Sequence, residues 1–400
     1  MRGIAPSGIL LGIVMAVGLP GCGPAAGDGE GLLVVRNGTL IDGTGAAPRS
    51  NVVLVIKDGR ILELGSETDV EIPSNATVID ADGGTILPGL VDTHTHLLNG
   101  LLSSTGELSS SSVAYYLEST LDAGITTFRD AGSTVGLSAS LSDFRAALDA
   151  LEVPLPTIVL TGPIIAAEGN LAVRRFADQS VAVADVAAAE AMVNRLLDSG
   201  VDQIKIMVDH WESAGGPTPS LTVEQIAAIT SAAHERDAWV LAHVTDIADA
   251  RMAIEGGVDE LTHWPGHERL PEDLIQAIVG KDIPVGTTYG IPDVFPFEGD
   301  VRRLLDAGGR IVISTDAPGV MPTRDLWREM VRMAQVGMTP MEVIIASTRD
   351  AARALGLGDV GTIEAGMVAD LVIIDGDPLD DISAIADVTG VVKGGVVAFP

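Results

Sequence analysis

Two histidines separated by one residue, His94 and His96, stand at the end of the apolar segment LPGLVDTHTHL at 87–97. In a β-strand, residues i and i+2 point to the same side, so both imidazoles would face one site. Such a pair alone is a weak indication of a metal site. It gains weight because polar residues also occur within or near the ends of four other apolar segments, namely Lys205, His243, His263 and Asp316.

This set of side chains indicates a binuclear metal centre. Neutral imidazoles and a carboxylate are ligands for zinc or related divalent ions. Lys205 lies in the apolar run Gln-Ile-Lys-Ile-Met-Val, where a lysine is costly unless it is paired or chemically altered. A protonated lysine cannot bind a cation, but the carbamate formed from its amine and carbon dioxide supplies two oxygens that bridge two ions.

Two divalent ions about 3.5–4 Å apart would hold a hydroxide between them and polarise a substrate carbonyl. Asp316 is the predicted catalytic residue in this arrangement. One of its oxygens would bind an ion, and the other would take the proton of the attacking water and pass it to the leaving group.

The segments that carry these residues alternate with helical patterns between about residues 86 and 357. Strands are predicted at 86–97, 126–131, 157–162, 203–208, 239–244, 260–264, 284–290 and 310–318. Helices are predicted at 113–124, 184–200, 222–237, 246–257, 271–282, 300–308 and 339–356, and Thr222 with Gln225 and Thr339 with Glu342 resemble capping boxes.

Eight strands, most of them followed by a helix, predict an α/β protein built on a closed (β/α)8 TIM barrel. A doubly wound open sheet is the alternative. The polar residues favour the barrel because they fall near the C-terminal ends of separate strands, the face on which barrel enzymes place their chemistry.

The two ends of the chain have a different texture. Residues 32–88 and 358–400 contain short β-branched runs broken by Asn-Gly, Asp-Gly and Gly-Gly, which are typical of hairpins. We expect them to form one small composite β-sandwich domain, with the metal-dependent barrel at 89–357.

Residues 1–22 are interpreted as a lipoprotein signal peptide. Arg2 is followed by the apolar run 8–19, and Leu19-Pro20-Gly21-Cys22 resembles a lipobox with Cys22 as the lipidated residue. Residues 23–31 read as a flexible tether. This predicts a bacterial envelope protein, periplasm-facing or extracellular, that meets the membrane only through its lipid. A net charge of −31 argues against nucleic-acid binding, and a homo-oligomer is compatible with the sequence.

These motifs resemble the amidohydrolase superfamily over about 32–400. The resemblance rests on LPGLVDTHTHL, TTFRDAG at 126–132, IKIMV at 204–208, AHV at 242–244, LTH at 261–263, STDAP at 314–318 and GTIEAGMVADLVIIDGDPL at 361–379. It implies that His94, His96 and Asp316 hold a buried metal and that His243 and His263 hold an outer one. It also implies that Lys205 is an N6-carboxylysine that bridges the two.

Within the superfamily, IKIMV followed by Gly215, Gly216 and Pro217 is similar to imidazolonepropionase-like enzymes and bacterial Xaa-Pro or Xaa-Arg dipeptidases. Those dipeptidases usually carry Gly-Gly-His after the third strand, where this chain has Glu168-Gly169-Asn170. We therefore predict hydrolysis of a C–N bond in an amide, cyclic amide or dipeptide. The candidate substrate contacts are Tyr289, His267 and Arg174.

Three other functions use parts of the same pattern. A lactonase or phosphotriesterase would keep the same metals, and a non-catalytic metal-binding lipoprotein is a further alternative. Asp246, three residues after His243, resembles the His-x-x-Glu of nucleobase deaminases. Deaminases of this superfamily typically use one metal without a bridging lysine, so Lys205 argues against that function.

Overall fold

The computed structural model describes residues 31–96, 110–133, 141–151, 153–177, 179–210, 212–213, 216–266, 268–288, 296–317 and 323–399. No helix in these ranges is both long and apolar enough to cross a membrane.

Each strand predicted between 86 and 318 overlaps a strand of the structure. In chain order the strands are β1 (Leu32–Leu40), β2 (Arg49–Lys57), β3 (Arg60–Ser66), β4 (Thr77–Asp80), β5 (Thr85–Pro88), β6 (Leu90–Thr95), β7 (Ile125–Asp130), β8 (Thr157–Leu160), β9 (Ile164–Ala167), β10 (Ser180–Val183), β11 (Ile204–Met207), β12 (Glu212–Ser213), β13 (Gly216–Pro217), β14 (Val240–His243), β15 (Glu260–Thr262), β16 (Val285–Gly286), β17 (Ile311–Val312), β18 (Leu371–Ile374), β19 (Val388–Lys393) and β20 (Val396–Phe399). Four short strands, β9, β10, β12 and β13, were not predicted.

The helices alternate with the middle strands. They are α1 (Ser110–Asp122), α2 (Leu141–Asp149), α3 (Leu171–Arg175), α4 (Val186–Asp198), α5 (Val223–His234), α6 (Ile247–Glu255), α7 (Glu272–Gly280), α8 (Asp300–Asp306), α9 (Leu326–Gln335), α10 (Pro340–Ala346) and α11 (Arg349–Ala354). Both predicted capping boxes are confirmed, at the starts of α5 and α10.

The middle strands form two parallel sheets in the described part of the chain. One has the order β6-β7-β8 and the other β10-β9-β11-β14-β15-β16-β17. Hydrogen bonds join the two sheets at both junctions. The N–H groups of Asp202 and Gln203 donate to the carbonyl of Leu160, and Thr95 forms a parallel bridge with Ala317. The carboxyl ends of the strands therefore gather on one edge.

The remaining long strands form one mixed sheet from both ends of the chain. Its order is β20-β19-β18-β5-β1-β2-β3, with β4 also paired to β1. The sheet folds back on itself, because an antiparallel β-bridge pairs Arg60 in β3 with Val368, just before β18. Lys393 attaches this sheet to the parallel strands, since its Nζ donates to Asp370 at 2.6 Å and to Thr157 of β8 at 2.8 Å.

Two predicted elements are each divided in the structure. The predicted first strand at 86–97 breaks at Gly89 into β5, in the mixed sheet, and β6, in a parallel sheet. A Cβ atom at Gly89 would lie 2.1 Å from the Thr126 hydroxyl, so only glycine fits there. The predicted helix 339–356 breaks into α10 and α11 at Ser347, whose carbonyl accepts from the Val91 N–H instead of continuing the helix.

Candidate metal centre

Three of the six predicted ligands form a compact group where the first and last parallel strands end. The Nε2 atoms of His94 and His96 are 3.2 Å apart, and Oδ1 of Asp316 lies 3.4 Å and 3.1 Å from them, respectively. Ligand atoms about 2.0–2.1 Å from a tetrahedral zinc ion are separated by about 3.3 Å. The three atoms therefore fit the coordination of a single divalent ion.

Asp92 supports this group through hydrogen bonds to the neighbouring residues. Its buried carboxylate accepts hydrogen bonds from the backbone N–H groups of His94 and Thr315, each at 3.1 Å, and from the Thr315 hydroxyl at 2.6 Å. The Asp316 N–H in turn donates to the carbonyl of His94 at 2.8 Å. Sequence reasoning missed Asp92, although an acid two residues before His94 in an apolar strand is a visible signal.

The other two predicted histidine ligands extend the group along the sheet edge. His243 ends β14, and His263 directly follows β15. Their ring centres are 4.3 Å apart, and the ring of His263 lies 4.8 Å from that of His94. A continuous row of imidazoles therefore runs from His96 through His94 and His263 to His243.

A polar neighbour faces one ring nitrogen of each of these two histidines. Nδ1 of His263 lies 2.6 Å from the Thr288 hydroxyl, and Nε2 of His243 lies 3.3 Å from Oδ2 of Asp209. Neither neighbour was predicted from the sequence. Their contacts are made across different strands, so only the folded arrangement reveals them.

Lys205 lies in β11, beside the strand that carries His243, and is almost fully buried. Its amine donates to the hydroxyl of Thr262, the residue before His263. Burial and the nearby Arg129 guanidinium lower the pKa of the amine to about 7. A substantial share of Lys205 is therefore uncharged at neutral pH.

Burial also favours the uncharged form of three of the imidazoles. It holds the pKa of His94 and His263 well below the usual range, and it lowers the pKa of His243 despite the Asp209 carboxylate. Burial acts in the same direction on His96, but the hydrogen bond and charge of Asp316 outweigh it and raise the pKa of that residue. A neutral imidazole is the form that binds a metal.

The predicted substrate contacts have different outcomes. Arg174 is exposed in α3, whereas Tyr289 and His267 lie outside the described residues, as does the predicted lipidation site Cys22. Asn170, the residue that the sequence resemblance places opposite the dipeptidase histidine, is buried. Its Oδ1 accepts from the Ala172 N–H at the start of α3, and its Nδ2 donates to the carbonyls of Asp209 and Pro219. Asn170 thus joins backbone segments.

The comparisons with known proteins identify the family of this chain. The model of the amidohydrolase family matches residues 85–294 and 298–398. The chain belongs to the amidohydrolase family. The imidazolonepropionase of Streptomyces griseus is 25% identical over 378 residues, which cover 86% of this chain and 90% of the relative. The prediction that this amidohydrolase is a hydrolytic enzyme is confirmed.

Two solved structures of similar proteins have the same overall fold as this amidohydrolase. A Xaa-Pro dipeptidase with bound methionine in its active site superposes with a TM-score of 0.77 at 25% identity, covering 92% of this chain and 99% of that one. A molinate hydrolase superposes with a TM-score of 0.79, also at 25% identity, and covers 92% and 94%.

Two of the six predicted ligands have left-handed backbone conformations. The φ angle is 57° at Asp316 and 72° at His263, and among the described residues His263 is the only positive-φ position that is not Gly, Asn or Asp. This conformation is unfavourable for residues with a Cβ atom and persists only where the surroundings impose it. The backbone strain therefore coincides with the candidate metal centre.

This strain can be measured by comparing His263→Gly with His263→Ala in metal-free protein. Both variants lose the imidazole, so their difference reports the backbone alone. We expect the glycine variant to be the more stable by about 1 kcal/mol, because glycine accepts a positive φ. Chemical denaturation gives the difference in the free energy of unfolding.

The same pair of substitutions at His243 is the control, because His243 ends a strand with ordinary backbone angles. There the alanine variant should be the more stable, by about 0.5–1 kcal/mol. An alanine at position 263 that matches or exceeds glycine in stability would contradict the inferred strain.

Proposed function

We propose that this amidohydrolase uses two metal ions to cleave an amide-type C–N bond in a small molecule. The observation that carries the proposal is the group of His94, His96 and Asp316, whose donor atoms lie 3.1–3.4 Å from one another. The similarity to a Xaa-Pro dipeptidase and to an imidazolonepropionase supports this bond type. The substrate class comprises amides, cyclic amides and dipeptides.

The two parallel sheets form, in this proposal, one closed (β/α)8 barrel. The ring would run through β6, β7, β8, β11, β14, β15, β16 and β17 and return to β6. The hydrogen bonds from Asp202 and Gln203 to Leu160 and the bridge between Thr95 and Ala317 support closure at the two junctions. The metal centre then lies at the carboxyl-end mouth, as in other barrel enzymes.

His94, His96 and Asp316 would hold the inner ion, and His243 and His263 the outer one. When bound, two divalent ions, most suitably zinc, would acidify a water molecule and polarise the substrate carbonyl. The amine of Lys205 is buried, and its hydrogen-bond partner among the described residues is a hydroxyl rather than a carboxylate. Carboxylation of Lys205 would turn this amine into an anionic ligand between the two sites.

Asp316 is the proposed proton carrier. Its side chain is 17% exposed, so it reaches the mouth of the site while its Oδ1 stays among the histidines. Asp316 would accept a proton from the attacking water as the oxygen adds to the carbonyl carbon. The C–N bond then breaks, and the same proton passes from Asp316 to the departing nitrogen.

This proposal is tested by assaying metal-loaded protein on dipeptides, N-acyl amino acids, cyclic amides, lactones and phosphotriesters. We expect turnover of a C–N substrate and a loss of about 10²–10⁴-fold in kcat for Asp316→Asn, because the amide cannot carry the proton. Asp237→Asn is the matched control, since Asp237 is exposed and also has a positive φ. Undiminished activity of Asp316→Asn would disprove the proton-carrier role, and turnover confined to lactones or phosphotriesters would disprove C–N cleavage.

The carboxylated lysine is tested by metal content. Wild-type protein should contain two ions per chain and a carbon dioxide adduct in its native mass. Lys205→Ala should retain one ion, and short carboxylic acids added to the variant should restore part of the second, because they replace the missing anionic ligand. Lys57→Ala, at an exposed strand end, is the control. A wild-type protein with one ion and no adduct would contradict the bridging role.

We also propose that Cys22 anchors the enzyme to the bacterial envelope through a lipid. The support is the apolar run at 8–19 followed by Leu19-Pro20-Gly21-Cys22. Cys22→Ala should abolish labelling by a fatty-acid analogue and release the protein from the membrane fraction, whereas Pro20→Ala should remain labelled. A Cys22→Ala protein that stays in the membrane fraction would show that the apolar run itself is the anchor.

A further inference from the structure

Asp209 is a buried acid at the metal centre that lies outside the predicted ligand set. It follows β11 by two residues and is 3% exposed. Its Oδ2 atom lies 3.3 Å from Nε2 of His243, which comes from the neighbouring strand β14. A buried carboxylate is costly unless polar partners surround it. The partners of Asp209 therefore indicate what this residue does.

Further contacts hold Asp209 against His243 from both sides. The hydroxyl of Thr245 donates to the same Oδ2 atom at 2.7 Å. The backbone carbonyl of Asp209 accepts from Nδ2 of Asn170 at 3.1 Å. The next residue, His210, places its Nδ1 atom 2.6 Å from the buried carboxylate of Asp249 in α6. Asp209 is thus held by the hydrogen bond to its carboxylate, by the hydrogen bond to its backbone carbonyl and by the contact that the next residue makes.

The contact also favours one nitrogen of His243 for binding a metal ion. An imidazole that binds a metal through one nitrogen usually meets a carboxylate, carbonyl or water with the other, which sets the tautomer and the ring orientation. With Nε2 lying 3.3 Å from the Asp209 carboxylate, Nδ1 would be the metal-binding nitrogen of His243. His263 has the opposite arrangement, because its Nδ1 lies 2.6 Å from the Thr288 hydroxyl and its Nε2 would therefore be the metal-binding nitrogen.

We propose that Asp209 is the positioning residue for the outer metal ion: it orients His243 so that its Nδ1 atom binds that ion. This inference rests on the proposed two-metal function and adds a residue outside the six ligands. Asp209 acts through His243 and does not itself bind metal or substrate.

The test compares Asp209→Asn with Asp246→Asn. Both substitutions remove one negative charge close to His243, but Asp246 is exposed and caps α6, a role that asparagine fills equally well. Zinc binding is measured by equilibrium dialysis against a competing chelator. We expect Asp209→Asn to bind the second ion about 10–100-fold more weakly, with the first ion unaffected, and Asp246→Asn to behave as wild type.

Two further measurements distinguish positioning from other roles. Metal-free Asp209→Asn should melt at the wild-type temperature, and a lower melting temperature would assign Asp209 a structural role instead. At saturating cobalt, the visible absorption spectrum of the variant should equal that of wild type. A changed spectrum would show that the filled sites differ in ligands or geometry, as they would if Asp209 were itself a ligand, and would overturn the proposal.

The remaining outcomes separate this inference from the proposed function. Wild-type protein with two ions and an Asp209→Asn variant that binds both equally tightly would overturn only the role of Asp209. Wild-type protein that holds a single ion under saturating zinc would overturn the two-metal function and this inference with it.

Discussion

The contact between Asp92 in β6 and Thr315, three residues after β17, joins residues that are 223 positions apart in the chain. The carboxylate of Asp92 accepts hydrogen bonds from the N–H groups of His94 and Thr315. The N–H of Asp316 donates directly to the carbonyl of His94. The spacing of His94 and Asp316 therefore follows from hydrogen bonds between the segments at the ends of β6 and β17. Such a frame holds donor atoms more precisely than mobile loops would.

The interior between the parallel strands also contains a buried charged residue. Arg129 of β7 is fully buried, and its guanidinium donates to the Thr93 carbonyl in β6, to Gln203 just before β11 and to Glu260 in β15. A buried ion pair of this kind is tolerated because hydrogen bonds replace the lost water. The single arginine thereby connects its own strand β7 with three segments that carry predicted ligands, and its charge also lowers the pKa of Lys205.

Most of the fold was predictable because its signals are local. Hydrophobic periodicity and capping residues located the parallel strands and most helices, and the capping boxes of α5 and α10 appear as predicted. The breaks at Gly89 and Ser347 were not predictable. The first depends on the approach of Thr126, and the second on the Val91 N–H that captures the Ser347 carbonyl. Both partners are distant in sequence, so no local pattern reports them.

The candidate site divides in the same way. The sequence by itself predicted the six candidate ligands, because each is a polar residue within or near the end of an apolar segment. Only the tertiary structure showed that Asp92 bonds the backbone beside His94 and Asp316, that Asp209 lies against His243 and that Asn170 joins backbone segments. The pattern of a strand indicates the edge of the sheet at which a side chain lies. The residue that it contacts there depends on register and strand order, which are set by contacts across the whole chain.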